Sequence, residues 1–394
     1  MKIPLLHDHH SHPLLYAAFR KAVDLSEIKS FEAAADLLVD NQREAEYGIA
    51  LGFAWKDNFF AIDTTQLESL PPCAIFNLSL HKLLINQAAK QLLLDIVGNE
   101  IEKVADADWY ERNLRTVLNW FAKLGSSPDA LVSFYDYLQS VGVESAEEML
   151  LIDSDEIDLY QSTGLTDRTK FWAAPNTFEQ LSEEHRSAVA GFKLFTDGAL
   201  GAWTAAISQP YPGLEQSSHP LGMLLYTDSE LEQILNDCVH RATEVPGDRK
   251  GIAIHAIGDR AIEQMLKTIE QMPESLRNDF SIIRIEHAQL ITLEQARRAK
   301  DLNVVLSMQP NFSIDSVDYS DRLPTGFPVL NNPFRMLIDD VGFEPGNDLI
   351  FGSDGMPHGV QYATEQAFSP AFETQVLTRD EFVAGYTRCG QFDR

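Results

Sequence analysis

The chain has 394 residues, of which 44% are hydrophobic and 23% charged, a composition typical of a globular protein with a sizeable core. Its 59 acidic residues against 31 basic ones give a formal net charge of −28 at pH 7. This balance argues against a nucleic acid or an anionic membrane surface as partner, because both require a basic surface. The length allows one large α/β barrel or two ordinary domains.

Cysteine usage and the amino terminus indicate the compartment. Cys73, Cys238 and Cys389 are far apart in the sequence, which predicts reduced thiols rather than a disulfide framework. His7 and Asp8 interrupt the first apolar run, so it does not resemble a signal peptide, and no apolar run approaches the length of a membrane span. We therefore expect a cytoplasmic protein.

Short apolar runs with β-branched or aromatic residues predict strands. The eight predicted strands are Ile3–His7, Met149–Ile152, Lys170–Ala174, Phe192–Phe195, Ile252–Ile257, Ile282–Ile285, Val304–Met308 and Leu349–Phe351. Helical patterns such as Ala261–Gln271 and Leu293–Lys300 separate most of the later strands. Strands that alternate with helices indicate a parallel sheet, and eight of them predict an α/β fold of the (β/α)8 TIM barrel type.

A long insertion follows the first predicted strand. About 130 residues precede the second strand, where a barrel normally needs roughly 25–30. We therefore assign residues 1–12 and 142–394 to the barrel, and residues 13–141 to an inserted lid or substrate-binding subdomain at its carboxyl-terminal face. The elements predicted within the insertion are helices at Phe31–Glu46, Leu80–Val97, Trp109–Leu124 and Pro128–Val141, and a strand at Ala74–Leu78.

Residues of metal-binding type end several of these strands. His10 and His12 are two apart, so in a strand they point to the same side and can face one ion. His255, His287 and Asp354 each end a different apolar run. A single histidine at a strand end is more often a structural hydrogen-bonding group, but five such residues at the end of a barrel where active sites form predict a metal site. Imidazole and carboxylate ligands suit Zn²⁺ and similar ions.

Lys193 is a charged residue within the apolar run Phe192–Phe195. It either extends its ammonium to solvent or pairs with an acid such as Asp197, or it has a lowered pKa and reacts with CO2. In the second case the carbamate formed is an anion able to bridge two metal ions. The sequence leaves both interpretations open.

The chain resembles the amidohydrolase superfamily, specifically the amidohydrolase-3 or YtcJ-like group. The resemblance covers nearly the whole chain. The segments that carry it are Asp8-x-His10-x-His12, Lys193-Leu194-Phe195-Thr196-Asp197-Gly198-Ala199-Leu200-Gly201, His255-Ala256-Ile257-Gly258-Asp259-Arg260, Arg284-Ile285-Glu286-His287, Gln309-Pro310 and Gly352-Ser353-Asp354.

The resemblance implies a role for each matching residue. His10 and His12 would bind one metal ion, His255 and His287 a second, and a carbamylated Lys193 would bridge them. Asp354 would bind metal and exchange a proton with the attacking water. The catalytic residues would thus be Asp354, Lys193 and His287, and the cofactor two divalent ions, with zinc expected and manganese, iron or a single ion left open. The substrate contacts implied are His81, Asn86, Thr196, Asp197 and Trp203.

The chain departs from the family in one respect. Most relatives carry a small β-sandwich, for which the sequence before the first strand and after Asp354 leaves no room. His7 and His9 also crowd the first motif; alternation turns His9 away from His10, and His7 is interpreted as a capping residue.

Three functions remain open. We expect a metal-dependent hydrolase that cleaves the C–N bond of a small amide with metal-activated water. The alternatives are a single-metal deaminase of an aminated heterocycle, in which His287 orients the substrate, and a barrel that binds a ligand without turnover. The expected partner is a small-molecule substrate, and a homo-oligomer is left open.

Overall fold

The computed structural model describes residues 3–45, 47–244, 248–355 and 357–387. The chain divides into two compact units, one of Met1–Pro13 with Tyr135–Arg394 and the other of Leu14–Phe134. The boundaries expected from the sequence were 12/13 and 141/142.

Twelve strands form two sheets within the described residues. They are β1 (Leu6–Ser11), β2 (Val23–Asp24), β3 (Ala50–Trp55), β4 (Cys73–Asn77), β5 (Leu83–Ile85), β6 (Val143–Leu151), β7 (Thr169–Ala173), β8 (Val189–Phe195), β9 (Gly251–Ala256), β10 (Ile283–His287), β11 (Val305–Met308) and β12 (Leu349–Phe351).

The larger unit is a nearly closed barrel of eight parallel strands in the order β1-β6-β7-β8-β9-β10-β11-β12. At the seam, the Asp354 amide donates to the His10 carbonyl at 2.7 Å. A Cβ added to Gly352 would lie 2.4 Å from the His10 nitrogen, so only glycine allows β1 and β12 to approach this closely. The predicted (β/α)8 barrel is confirmed.

Helices follow most barrel strands. The α-helices of this unit are Ser154–Thr163, Pro175–Gln180, Glu183–Ala188, Asp228–Ala242, Asp259–Gln271, Glu274–Arg277, Leu293–Asp301, Asp315–Asp318, Val360–Phe368 and Arg379–Gly385. The predicted helices at Ala261–Gln271 and Leu293–Lys300 are therefore present with small shifts at their ends.

The first two barrel strands are longer than the apolar pattern predicted. β1 continues to Ser11 through four consecutive polar residues, and β6 includes Ser145, Glu147 and Glu148. All of these polar residues are buried. A rule that identifies strands by apolar runs misses these residues. Their polar side chains can be buried because they hydrogen-bond to one another inside the unit.

The smaller unit contains a four-stranded sheet in the order β2-β3-β4-β5, with only the β4–β5 pair antiparallel. The predicted strand Ala74–Leu78 corresponds to β4, whereas the other three strands were not predicted. The apolar residues between this sheet and its helices include Leu25, Leu38, Trp55 and Ile75. The α-helices in or entering this unit are Pro13–Phe19, Phe31–Glu44, Thr64–Ser69, Gln87–Val97, Ala107–Arg112, Leu114–Gly125 and Pro128–Ser140.

Two predicted helices of this unit are corrected by polar side chains. The helix expected over Leu80–Val97 begins only at Gln87, because Asn86 is its N-cap and accepts from the Ala89 amide. The helix expected over Trp109–Leu124 is interrupted at Asn113, whose side-chain amide donates to the Trp109 carbonyl at 2.7 Å. A side chain that bonds the backbone in this way competes with a continuous helix.

Cys73 and Cys238 are buried free thiols, and Cys389 lies outside the described residues. Among the helices within the described ranges, none is long and apolar enough to cross a bilayer.

Candidate metal centre

Two imidazoles converge on one carboxylate where β1 ends and β12 is followed by its loop. His12 Nε2 lies 3.0 Å and His10 Nε2 3.6 Å from Asp354 Oδ1. Ligand-type atoms of the three residues all lie within 4.8 Å of one another. The structure thus brings together residues that are 342 to 344 positions apart in the sequence, at the separations expected of groups around one ion.

The backbone turns these side chains out of the regular strand direction. Asp354 has φ 55° and His287 has φ 72°, both in the left-handed region. Non-glycine residues in this region cost free energy and tend to occur at functional sites, where surrounding structure maintains them. The alternation of side chains along an extended strand therefore does not predict where the side chains of His287 and Asp354 point.

The Nδ1 atoms of His10, in β1, and of His12, just after it, each face a carboxylate. His10 Nδ1 lies 2.6 Å from Glu286 Oε2, and His12 Nδ1 lies 3.8 Å from Glu148 Oε1. A carboxylate behind a metal-binding imidazole fixes the tautomer and orients the ring. Glu286 thus orients the His10 ring, whereas His12 Nδ1 is beyond hydrogen-bond distance of Glu148 and has no hydrogen-bond partner among the described residues. In both residues Nε2 is the nitrogen that faces Asp354.

His255 and His287 lie beside this pair. The rings of His10 and His287 are 4.7 Å apart between centroids, and those of His287 and His255 are 4.5 Å apart. His287 Nδ1 lies 2.7 Å from Gln309 Oε1, which leaves Nε2 on the opposite side of its ring. His255 Nε2 lies 3.0 Å from the Gly198 carbonyl oxygen, so here Nδ1 is on the opposite side.

Lys193 is buried, and its Nζ has no hydrogen-bond partner among the described residues. The nitrogen lies 4.9 Å from the centre of the Phe195 ring. It neither reaches solvent nor pairs with Asp197. Burial lowers the pKa of Lys193 from 10.5 to about 8, against the opposing effect of the Glu286 and Asp354 carboxylates. Burial of an amine without a hydrogen-bond partner costs free energy of folding unless another group bonds to it.

The surrounding charges favour a cation at this position. Burial lowers the pKa of His10 and of His287, which favours the neutral imidazoles that metals require. Burial alone would raise the pKa of Asp354, but His10, His12 and Lys193 lower it to about 2 and keep it ionised. Burial opposes protonation of His12, but the Asp354 and Glu148 carboxylates raise its pKa to about 9.

A buried ionic network lies behind His10. Arg284 Nε donates to Glu286 Oε1 at 2.7 Å, and Arg284 Nη1 donates to Glu147 Oε2 at 2.6 Å. The guanidinium also lies 4.8 Å from the Trp172 ring. All four side chains are almost fully buried. Sequence reasoning missed Glu147 and Arg284 as part of the site, since a charged residue in a strand is ordinarily assigned to a solvated face.

Two residues predicted to contact substrate are engaged by the backbone. Asp197 is buried and accepts from the amides of Ala206, Ile257 and Gly258 at 2.9–3.0 Å. Thr196 is also buried, and its hydroxyl donates to the His255 carbonyl at 2.6 Å. Both therefore hold the loops that follow β8 and β9, and hence the position of His255.

The other three predicted contacts have different surroundings. Asn86 is buried, and its amide group bonds the backbone within the smaller unit, including the Cys73 amide and the Leu70 carbonyl. His81 Nδ1 lies 2.8 Å from Glu111 Oε2 in the same unit. Trp203, in the barrel unit, is partly buried with the Arg322 guanidinium 4.2 Å from the centre of its ring.

His358 is a further residue that the sequence did not single out. It lies after β12, is buried, and its Nε2 is 2.9 Å from the Ser11 hydroxyl oxygen. Burial and the neighbouring His12 lower its pKa to about 3, against the effect of Asp354. An isolated histidine in a loop gives no signal in the sequence.

The barrel and the cluster at its strand ends define the class of the protein, a barrel with a candidate metal centre at its carboxyl-terminal face. The model of the Amidohydrolase family matches residues 1–360, and the chain belongs to this family. The resemblance deduced from the sequence is confirmed.

Two relatives with sequence similarity cover only part of the chain. The putative amidohydrolase YtcJ of Bacillus subtilis (strain 168) is 32% identical over 163 residues, which are 39% of this chain and 28% of that protein. The protein LONG AFTER FAR-RED 3 of Arabidopsis thaliana is 29% identical over 132 residues, which are 33% of this chain and 21% of that protein. The chain thus spans less than a third of the length of either relative.

Solved structures support the fold over a longer stretch. An uncharacterized metal-dependent hydrolase from Pyrococcus furiosus matches with a TM-score of 0.67 and 20% identity, covering 97% of this chain and 80% of that one. Another from Pyrococcus horikoshii OT3 matches with a TM-score of 0.63 and 22% identity, covering 99% and 78%. At these identities the likeness establishes the fold alone.

Proposed function

We propose that the protein is a metal-dependent hydrolase that cleaves an amide-type C–N bond of a small molecule. The observation that carries this proposal is the convergence of His10 Nε2 and His12 Nε2 on Asp354 Oδ1, with their other nitrogens facing Glu286 and Glu148. An imidazole held by a carboxylate, as His10 is by Glu286, is ready to bind a cation. A purely structural cluster would not need both rings to present the same nitrogen to one ionised carboxylate.

The proposed cofactor is two divalent ions, and the set of nitrogen and oxygen donors makes zinc the first choice. His10, His12 and Asp354 would hold one ion, and His255 and His287 the other. The ions would polarise the scissile carbonyl and lower the pKa of a water to about 7.

Asp354 is the proposed proton carrier. Its carboxylate is ionised at neutral pH and so has a free site for a proton from the attacking water, and its position at the cluster lets it deliver that proton to the departing nitrogen. In this role it acts first as a general base and then as a general acid.

Lys193 is the proposed bridge between the two ions. The neutral amine would attack the carbon of CO2, form an N–C bond and lose one proton, which leaves a carbamate anion. Carbamylation would convert the buried amine, which has no hydrogen-bond partner in the described residues, into an anion able to bind both ions. A single-metal deaminase has no use for this anion, and it would leave the Lys193 nitrogen buried and unsatisfied.

Product analysis separates the alternatives. The full chain would be loaded with zinc in bicarbonate buffer and incubated with N-acyl amides and with aminated heterocycles. We expect release of a carboxylic acid and an amine from the amides, and a loss of about 10²- to 10⁴-fold in rate for Asp354→Asn. Exposed Asp301, at the end of Leu293–Asp301, gives the matched control Asp301→Asn.

Ammonia released only from the heterocycles would instead support the deaminase. Ligand binding with no product from either panel would support a barrel without turnover.

A further inference from the structure

A second cluster of metal-ligand type lies on the same strand as the candidate centre but uses different residues. It consists of His7 and His9 of β1 and Glu147 of β6, all buried, with ligand-type atoms within 4.8 Å of one another. The proposed hydrolase reaction uses none of the three. From the sequence, His7 was interpreted as a capping residue and His9 as facing away from His10. The contribution of Glu147 is visible only in the structure.

The three side chains meet at a single oxygen. Glu147 Oε1 lies 2.9 Å from His9 Nδ1 and 3.3 Å from His7 Nε2. The two histidine rings are in edge contact, with centroids 4.5 Å apart. Metal–ligand bonds of about 2.0–2.2 Å place the ligands of a tetrahedral zinc ion roughly 3.3–3.5 Å apart, so a small shift of these groups would admit an ion.

Each group is also fixed from behind. His9 Nε2 lies 3.3 Å from the Thr387 carbonyl oxygen, and His7 Nδ1 lies 2.7 Å from the Ser145 hydroxyl oxygen. A metal-binding imidazole almost always donates its other ring N–H to an oxygen in this way.

The carboxylate has the same kind of support. Glu147 Oε2 accepts from Trp172 Nε1 and from Arg284 Nη1, both at 2.6 Å, which leaves Oε1 to the histidines. Metal-binding carboxylates are likewise held by such outer hydrogen bonds.

His9 supplies the strongest argument. Its Nδ1 faces a carboxylate and its Nε2 faces a peptide carbonyl, and both of these groups can only accept hydrogen bonds. A neutral imidazole carries one N–H, so it can donate to only one of them. Either a second ring proton or a metal cation between His9 Nδ1 and Glu147 resolves the conflict. With the metal, Nδ1 offers its lone pair to the ion while Nε2–H donates to Thr387, and His7 Nε2 near the same carboxylate oxygen becomes a further ligand.

We propose that His7, His9 and Glu147 form a second, structural site for a zinc-like divalent cation. The ligands would be His7 Nε2, His9 Nδ1 and Glu147 Oε1. The inference is independent of the proposed hydrolase reaction, because none of the three residues is a proposed ligand of the catalytic ions and Glu147 is connected to that centre only through Arg284.

The test weakens the candidate catalytic centre and measures the second site as a difference in bound zinc between two variants. In the full chain, His12→Ala with Asp354→Asn removes two ligands of the candidate catalytic centre. The protein is stripped with a chelator and dialysed against zinc, and bound zinc is measured per chain by mass spectrometry. We expect this variant to retain zinc at the second site, and the further change of His7 and His9 to glutamine to remove about one ion per chain. Circular dichroism checks that the glutamine variants fold.

A second measurement does not depend on any variant. Crystals of the zinc-loaded native chain should give an anomalous peak between His7, His9 and Glu147. No peak there, or equal zinc content with and without the glutamine substitutions, would overturn the proposal and leave the cluster as hydrogen bonds alone. A map with a peak at His7, His9 and Glu147 but none at His10, His12 and Asp354 would count against the hydrolase proposal and not against the second zinc site.

Discussion

Glu286 Oε2 lies 2.6 Å from His10 Nδ1, and the other oxygen of the same carboxylate accepts from Arg284 Nε at 2.7 Å. The imidazole of a proposed metal ligand is therefore held by an anion that is itself held by a buried cation. This chain of contacts connects the candidate centre to Glu147, which Arg284 Nη1 also contacts.

Removal of the Glu286 charge should weaken metal binding. Glu286→Gln keeps the size of the side chain but loses the carboxylate that orients His10. We expect zinc affinity at the candidate centre to fall about 10- to 100-fold, the effect typical of such supporting carboxylates. Competition with a chromogenic chelator measures it. Exposed Glu294 provides the matched control Glu294→Gln, and equal affinity of the two variants would refute the orienting role.

Arg284→Met should destabilise the barrel. It leaves Glu147 and Glu286 buried without their cation, and the loss of one partner of a buried ion pair costs about 3–5 kcal/mol. Urea unfolding measures this change in free energy. Arg298→Met removes a half-exposed arginine that pairs with Glu263 and Glu270 on the surface, and should cost at most about 1 kcal/mol. A similar small cost for both variants would contradict the importance assigned to the network.

Lys193→Ala should remove the bridge between the ions. We expect loss of at least one bound ion and of most activity, because the variant cannot form the carbamate that is proposed to link the two ions. Native mass spectrometry in bicarbonate should find the wild type heavier by one CO2, and the variant without this addition. Exposed Lys267 gives the control Lys267→Ala. Full metal content and full activity in Lys193→Ala would show the bridging assignment to be wrong.

The lowered pKa of Lys193 predicts a pH dependence of stability in metal-free protein without CO2. Burial lowers this pKa from 10.5 to about 8, so between these values the unfolded chain binds a proton that the folded chain has released. The free energy of unfolding contributed by Lys193 therefore rises with pH across this window. The stability of wild type minus that of Lys193→Met, measured by urea unfolding at pH 8, 9 and 10, should increase. A flat or falling difference would contradict the shift.

The sequence predicted those parts of the site that follow from strand ends. His10, His12 and Asp354 are polar residues that follow apolar runs, and barrel geometry alone is enough to expect them together. The order of the eight barrel strands also follows from the alternation of strands with helices. The β2–β5 sheet did not follow, because its strands are short and lie among strong helical patterns.

The remainder depended on contacts that no local pattern encodes. Glu147 and Arg284 are far apart in the sequence, and only the closed barrel shows that each neutralises the other. Asp197 and Asn86 looked available for substrate, but their side chains are used by backbone amides and carbonyls. The sequence shows which polar side chain is present but not which group it hydrogen-bonds to. It therefore cannot distinguish a carboxylate that caps backbone amides from a catalytic one.

The most direct test of the account is an anomalous difference map at the zinc edge from crystals of the full chain grown with zinc and bicarbonate. We predict two peaks among His10, His12, His255, His287 and Asp354, with density for a carboxylate on Lys193 Nζ between them. A single peak beside an unmodified Lys193 would contradict the binuclear centre and favour the deaminase. No peak at these residues would contradict a metal-dependent hydrolase altogether.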